Sequence, residues 1–208
     1  MKSTFFIISS AMILALVSYN FTLVNKSVLK TSENIKTAII GESTANAKYL
    51  AYSQKAKQEG YDKIALLFEA ASKSEGIHAN NHKAVLEQLG IQIEDFKPKF
   101  EVRSTKENLQ DAVEGESYEV ATMYPDFIKT SDKENANLAT ISFNYAYQTE
   151  KKHKELYKDV LEKLNNKKEA SLASNYFVCP TCENTYANEA PKRCGISMTS
   201  KDRFIEII

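Results

Sequence analysis

The chain has 208 residues, 43% of them hydrophobic, and its 27 basic and 27 acidic side chains cancel. That is enough apolar material for a four-helix core with a small appendage. A balanced charge excludes a nucleic-acid partner, which would need a basic face.

Lys2 precedes an uncharged run from Phe5 to Val17, followed by Ser18, Tyr19 and Asn20. A short positive start and an apolar run of about a dozen residues predict a secretory signal, with Leu16 and Ser18 as the best cleavage candidates. The low-charge stretch also reaches Val24, roughly the ~20 residues of a membrane span. Residues 1–24 therefore read as a signal peptide or an N-terminal anchor. On either reading the protein is exported, with a periplasmic location expected.

Residues 30–166 carry four helical segments. Helix one is expected from Ser32 to Glu59, ending at Gly60. Its stripe at steps of three and four is Ile35, Ala38, Glu42, Ala45, Tyr49, Tyr52 and Ala56. Helix two is expected from Tyr61 to Leu89, with Ile64, Phe68, Ala71, Glu75, His78, His82, Val85 and Leu89 on its stripe. Helix three opens on the capping-box pattern Ser104-x-x-Glu107 and carries Leu109, Ala112, Glu116, Glu119 and Met123. Pro125 should kink or locally unwind it just after the Glu116/Glu119 turn. Helix four, expected from Ser131 to Leu164, aligns Ala139, Phe143, Ala146, Glu150, His153, Tyr157, Val160 and Leu164.

The two halves are copies. Gly41-Glu42-Ser43 recurs as Gly115-Glu116-Ser117, 74 residues on, and Glu75-x-x-His78 recurs as Glu150-x-x-His153, 75 residues on. One insertion separates them. Five glutamates and two histidines thus fall on the apolar stripes of their own helices, where a core belongs. Carboxylates and imidazoles in a core are costly unless a cation compensates them, and a pair of metal ions is the simplest such cation. A Glu from each of two helices and a Glu-x-x-His from each of the others is the pattern of ferritin-like di-metal carboxylate proteins. Such ligands suit iron or manganese, and zinc as well. His82 has Tyr157 as its repeat counterpart, so it reads as a hydrogen-bonded core histidine and not as a ligand.

The link from Gly90 to Arg103 sets the topology. Helix two should be about 43 Å long at ~1.5 Å per residue, and these residues reach at most about 46 Å at ~3.3 Å each. The link can therefore return along the bundle and make helices two and three parallel, the ferritin-like crossover. The expected fold is an all-α ferritin-like four-helix bundle followed, after a polar linker, by a small metal-knuckle domain at residues 176–208. That segment holds all three cysteines, as Cys179-x-x-Cys182 and, after eleven intervening residues, Cys194. Two knuckles at this spacing predict a tetrahedral thiolate site for iron or zinc. A Cys179–Cys182 disulfide is the alternative in an oxidising compartment.

Taken together, Gly41-Glu42-Ser43, Glu75-Gly76-Ile77-His78, Gly115-Glu116-Ser117-Tyr118-Glu119, Met123-Tyr124-Pro125, Glu150-Lys151-Lys152-His153 and Cys179-Pro180-Thr181-Cys182 resemble the rubrerythrins. These are non-haem di-iron peroxidases with a C-terminal rubredoxin-like domain. The resemblance spans about residues 30–208. It implies that Glu42, Glu75, Glu116, Glu119, Glu150 and His153 ligate an oxidised pair of iron ions, and that His78 replaces Glu119 on one iron after reduction. It matches Tyr49 and Tyr124 to the tyrosines that support this cluster, so Glu119, His78, Tyr49 and Tyr124 become the expected catalytic residues. The fourth cysteine of the family falls at Ser197, which leaves three thiolates and an oxygen ligand, serine or water, around one iron or zinc. The implied substrate is hydrogen peroxide and the implied assembly a head-to-tail homodimer. The electron donor is not legible. The rivals are a ferritin-like iron-oxidising protein that uses dioxygen and a metal-stabilised bundle without turnover.

Overall fold

The computed structural model describes residues 29–208; the expected signal or anchor segment lies outside the described residues. Five α-helices and a three-stranded sheet follow one another: α1 (Leu29–Gln58), α2 (Asp62–Gln88), α3 (Thr105–Tyr118), α4 (Tyr124–Lys133), α5 (Asn137–Asn165), β1 (Tyr176–Val178), β2 (Thr185–Ala187) and β3 (Ile205–Ile207). No helix among the described residues is long and apolar enough to cross a membrane.

The first hairpin turns at Gly60, whose φ of 83° is the left-handed conformation that glycine adopts without strain. The capping box at Ser104 forms: its hydroxyl accepts from the Glu107 N–H, and the Glu107 carboxylate accepts from the Ser104 N–H. The crossover also forms. Glu59, at the end of α1, accepts from the Thr105 N–H at 2.9 Å, and Glu134, past the end of α4, accepts from the Thr31 N–H at 2.8 Å. Helix α3 therefore starts at the end of the bundle where α2 starts, and the two run parallel. Ile91, Ile93 and Phe96 of the link pack against the core as it passes.

The third helical segment differs from expectation. A π-helical turn, Glu119–Met123, joins α3 to α4, with the Tyr124 N–H reaching back to the Glu119 carbonyl. Such turns arise when one residue is inserted into an α-helix. The offset of 74 relating Glu42 to Glu116 becomes 75 between Tyr49 and Tyr124. The single insertion between the repeats is thus absorbed in this turn. Pro125 is not the kink itself; it occupies the first turn of α4, where its missing N–H costs little. Ser131 belongs to the end of α4, and the last helix begins at Asn137 after a turn through Asn135.

Two apolar clusters fill the bundle, one on either side of a polar layer. One contains Tyr49, Tyr52, Ile64, Phe68, Leu109, Tyr157 and Val160. The other contains Ile35, Ile39, Leu86, Met123, Tyr124, Ala139 and Phe143. Glu42, Glu75, His78, Glu116, Glu150 and His153 are all buried.

The tail is an antiparallel sheet in the order β2-β1-β3, with Phe177 opposite both Tyr186 and Glu206. It lies along its own bundle. Lys63 donates to the carbonyls of Ala170 and Leu172 at 2.7 and 2.9 Å, and Tyr176 and Val178 join the first apolar cluster. The tail thus borrows a core from the helices that it covers.

Candidate metal centre

Midway along the bundle, two overlapping sets of side chains converge. Glu42, Glu75, His78 and Glu150 form one, and Glu75, Glu116, Glu150 and His153 the other, each with its ligand atoms within 4.8 Å of one another. Glu75 and Glu150 belong to both, as bridging carboxylates would. The i, i+3 spacing turns each histidine onto the face of its own glutamate: His78 Nδ1 lies 2.8 Å from Glu75, and His153 Nδ1 lies 2.9 Å from Glu150. Across the centre, His78 Nδ1 lies 2.8 Å from Glu150 and His153 Nδ1 3.1 Å from Glu75.

The donor set fits metal ions. One oxygen each of Glu42, Glu75, Glu116 and Glu150 is buried without a hydrogen-bond partner, and a protein interior rarely tolerates such orphans. Protonation states agree. Burial pushes Glu42 up to about 8, opposed by His78 and reinforced by Glu75 and Glu150. Burial and the neighbouring Glu150 and Glu75 hold Glu116 well above the usual carboxylate range. Burial would lower His153, but Glu150 and Glu75 raise it to about 9. A cation arriving here displaces protons.

Glu119 stands apart. It opens the π turn, is partly buried, and belongs to neither set, whereas His78 is in the first. Burial, with Glu42, Glu150 and Glu75, raises its carboxyl well above the ordinary range. The two tyrosines occupy equivalent places in the repeat: Tyr49 donates to Glu116 at 2.7 Å, and Tyr124 donates to Glu42. Each copy thereby supports the carboxylate of the other. His82 is a hydrogen-bonded core histidine, between Ser142 Oγ at 2.7 Å and Tyr124 OH at 3.3 Å.

The second candidate centre is in the tail. Cys179, Cys182 and Cys194 are buried, free and clustered; no disulfide forms. Ser197 Oγ lies 3.3 Å from Cys179 Sγ and hydrogen-bonds Thr199 at 2.8 Å, so it faces the sulfurs from the fourth position. Hydrogen bonding from Cys182, opposed by burial and helped by Ser197, lowers the Cys179 thiol to about 4.

Periodicity did not show how the two centres meet. Thr149, beside Glu150, donates to the Cys182 carbonyl at 2.8 Å, Ser74 donates to the Glu183 carbonyl at 2.9 Å, and Asn81 donates to the Thr181 carbonyl at 3.0 Å. His153 Nε2 pairs with Thr185 Oγ1 at 2.9 Å. The thiolate knuckle is therefore docked on the di-metal layer of the same chain. Glu183 was missed in the sequence, where the only trace of it is an acidic residue directly after Cys182.

Fold and site together define a ferritin-like carboxylate–histidine di-metal protein with an appended thiolate knuckle. Residues 33–161 match the rubrerythrin family model, and the chain belongs to the rubrerythrin family. It is 33% identical to rubrerythrin-2 of Clostridium acetobutylicum over 84% of its length and 95% of that protein. Identity to nigerythrin of Nitratidesulfovibrio vulgaris is 34%, over 89% of this chain and 92% of that one. A nigerythrin structure in its fully reduced, all-ferrous state superposes with a TM-score of 0.77 at 31% identity, covering 85% of this chain and 86% of that one. A bacterioferritin from Mycobacterium tuberculosis shares the fold, with a TM-score of 0.62 at 16% identity over 70% of this chain and 94% of that one.

Because Glu75 and Glu150 serve both sets, ferrous reconstitution should place two ions in the bundle, and Glu75→Ala or Glu150→Ala should lower that count sharply; unchanged stoichiometry in both variants would overturn the di-metal reading. Since Glu42 and His153 hold protons up to about 8 and about 9, loading should tighten as pH rises through that window, as read by equilibrium dialysis. In the tail, Ser197→Cys should produce the red absorption of a four-thiolate ferric site, which the native protein, with three thiolates, should not show.

Proposed function

We propose that this protein is a di-iron peroxidase that reduces hydrogen peroxide to water, H2O2 + 2e⁻ + 2H⁺ → 2H2O, in defence against oxidative stress. The observation that carries the reading is the placement of Glu119 and His78. A carboxylate on a one-residue insertion stands just outside the ligand set, and an imidazole stands inside it. Exchange between these two suits a centre that alternates between oxidation levels.

Glu42, Glu75, Glu116, Glu150 and His153, with His78 or Glu119, would hold two iron ions, and the iron pair supplies Lewis acidity and the two electrons. Tyr49 and Tyr124 hold Glu116 and Glu42 in place by donating to them. Protons are delivered along hydrogen-bonded side chains that start at Ser142, on a surface groove shared with Asn81, Val85, Leu138, Ile141 and Tyr145. From Ser142 the path runs through His82 Nδ1, then Nε2, to Tyr124 OH and Glu42. Burial and the neighbouring His78 push His82 down to about 3, so it stays neutral and can accept at one nitrogen while donating from the other. Cys179, Cys182, Cys194 and Ser197 would hold one metal ion. Iron there would supply a one-electron relay beside the bundle, joined to it by the Thr149–Cys182 hydrogen bond, whereas zinc, which has no redox chemistry, would make the knuckle structural only. Export rests on residues 1–24.

With stopped-flow mixing, the diferrous protein should oxidise much faster with hydrogen peroxide than with dioxygen; the reverse order would make it a ferritin-like iron oxidase instead. Glu119→Ala should weaken iron binding in the oxidised protein more than in the reduced one. His82→Phe should slow the peroxide step by about 10²-fold with metal content retained, and an unchanged rate would remove His82 from the proton path.

A further inference from the structure

Glu183 is out of place by every local criterion. It follows the second cysteine of a metal knuckle, and its φ of 67° is in the left-handed region that residues with a Cβ seldom occupy. Its side chain is fully buried, which is rare for a carboxylate without a partner. One oxygen accepts from Asn81 Nδ2. The other forms an ion-pair contact with His78 Nε2 at 3.3 Å, and neither atom has a hydrogen-bond partner elsewhere to compete for it. The opposite nitrogen of the same ring, Nδ1, faces Glu42, Glu75 and Glu150 at 3.7, 2.8 and 2.8 Å.

A histidine that binds metal through one nitrogen is oriented by what holds the other, and a carboxylate is the strongest such holder. We propose that Glu183 is the positioning residue for His78. Reaching out of the thiolate knuckle, its carboxylate takes the Nε2–H. This fixes the tautomer and ring angle that present the Nδ1 lone pair to the carboxylate cluster. Thr185, two residues on, does the same for His153 through Nε2 at 2.9 Å. The two imidazoles of the metal layer, His78 and His153, are thus held from outside by one strip of the tail, residues 183–185. Ser74 ties down its first residue at the Glu183 carbonyl, and Asn81 and Thr149 tie down Thr181 and Cys182 just before it. The knuckle is then a structural part of the di-metal site as well as a neighbour of it.

The inference rests on the di-metal reading above, and cobalt(II) titration of the full-length protein tests the two separately. Cobalt in the bundle is followed by its visible d–d bands, and cobalt at the cysteines by thiolate charge-transfer bands. Buried imidazole N–H protons give paramagnetically shifted, slowly exchanging NMR signals. The native protein should bind two cobalt ions in the bundle and show two such signals. Glu183→Gly fits the backbone better than glutamate does, so a loss there is not a folding defect. It should abolish the His78 signal and weaken one of the two bundle ions by about 10–100-fold, while leaving the His153 signal in place. Glu183→Gln, whose amide oxygen still accepts, should keep the signal. Thr185→Val should affect His153 alone. If Glu183→Gly retains both signals and both affinities, the positioning role is overturned. If the native protein fails to take two bundle ions, the di-metal reading itself falls, before any variant is compared.

Discussion

The structure depends on one electrostatic constraint: four carboxylates and two imidazoles are buried in a single layer between two apolar clusters. In a hydrocarbon-like interior, ionised groups cost several kcal/mol each unless matched by opposite charge and hydrogen bonds. The bundle supplies part of the match itself. Histidine faces glutamate across the layer, so that His78 and His153, against the effect of burial, pull Glu150 below the usual carboxylate range. It cannot supply all of it, because acids outnumber bases and one oxygen on each of four glutamates has no hydrogen-bond partner. Metal ions answer the oxygens that face inward. The tail answers the imidazole nitrogens that face outward. Bundle and knuckle are therefore two solutions to one problem, which explains why the small domain lies where it does.

Much of this was legible because the helices are regular. Steps of three and four placed Glu42, Glu75, His78, Glu116, Glu150 and His153 on buried stripes, and all are buried. The reach of the link made α2 and α3 parallel, as the Glu59–Thr105 hydrogen bond requires. The π turn was not legible. A shift of offset from 74 to 75 counts a residue without saying what conformation absorbs it, and Pro125 marked a local unwinding just after Glu116 and Glu119 without showing that it takes the form of a π turn. The docking of the tail had no periodic signature at all: it depends on side chains such as Thr149 and Asn81 meeting carbonyls far along the chain. Glu183 was hidden for the same reason, since its meaning lies in a histidine 105 positions away.

Duplication and insertion together explain the asymmetry of the centre. Tyr49 and Tyr124 are repeat equivalents and each serves the carboxylate of the other copy. His78 and His153 are equivalents as well. Glu119 has no glutamate counterpart: 74 and 75 residues earlier the chain reads Ala45 and Thr44. On the proposed exchange with His78, an acidic residue at the π turn would give one metal position a choice of ligand that the other lacks.

The crossover has a kinetic consequence. Each helical hairpin is built from contacts close in sequence, and such contacts form fast because little chain entropy is lost in closing them. The two ligand sets, by contrast, each draw on both hairpins, and the strip that braces the histidines comes from the last residues of the chain. A nascent chain can therefore complete the α1–α2 hairpin while possessing three of the four residues of one ligand set and only one of the four of the other. Full-affinity capture must wait until the C-terminus has been made and has docked. The fold thus times its own metallation, and an ion loosely held by the first hairpin alone has no closed cage in which to be trapped.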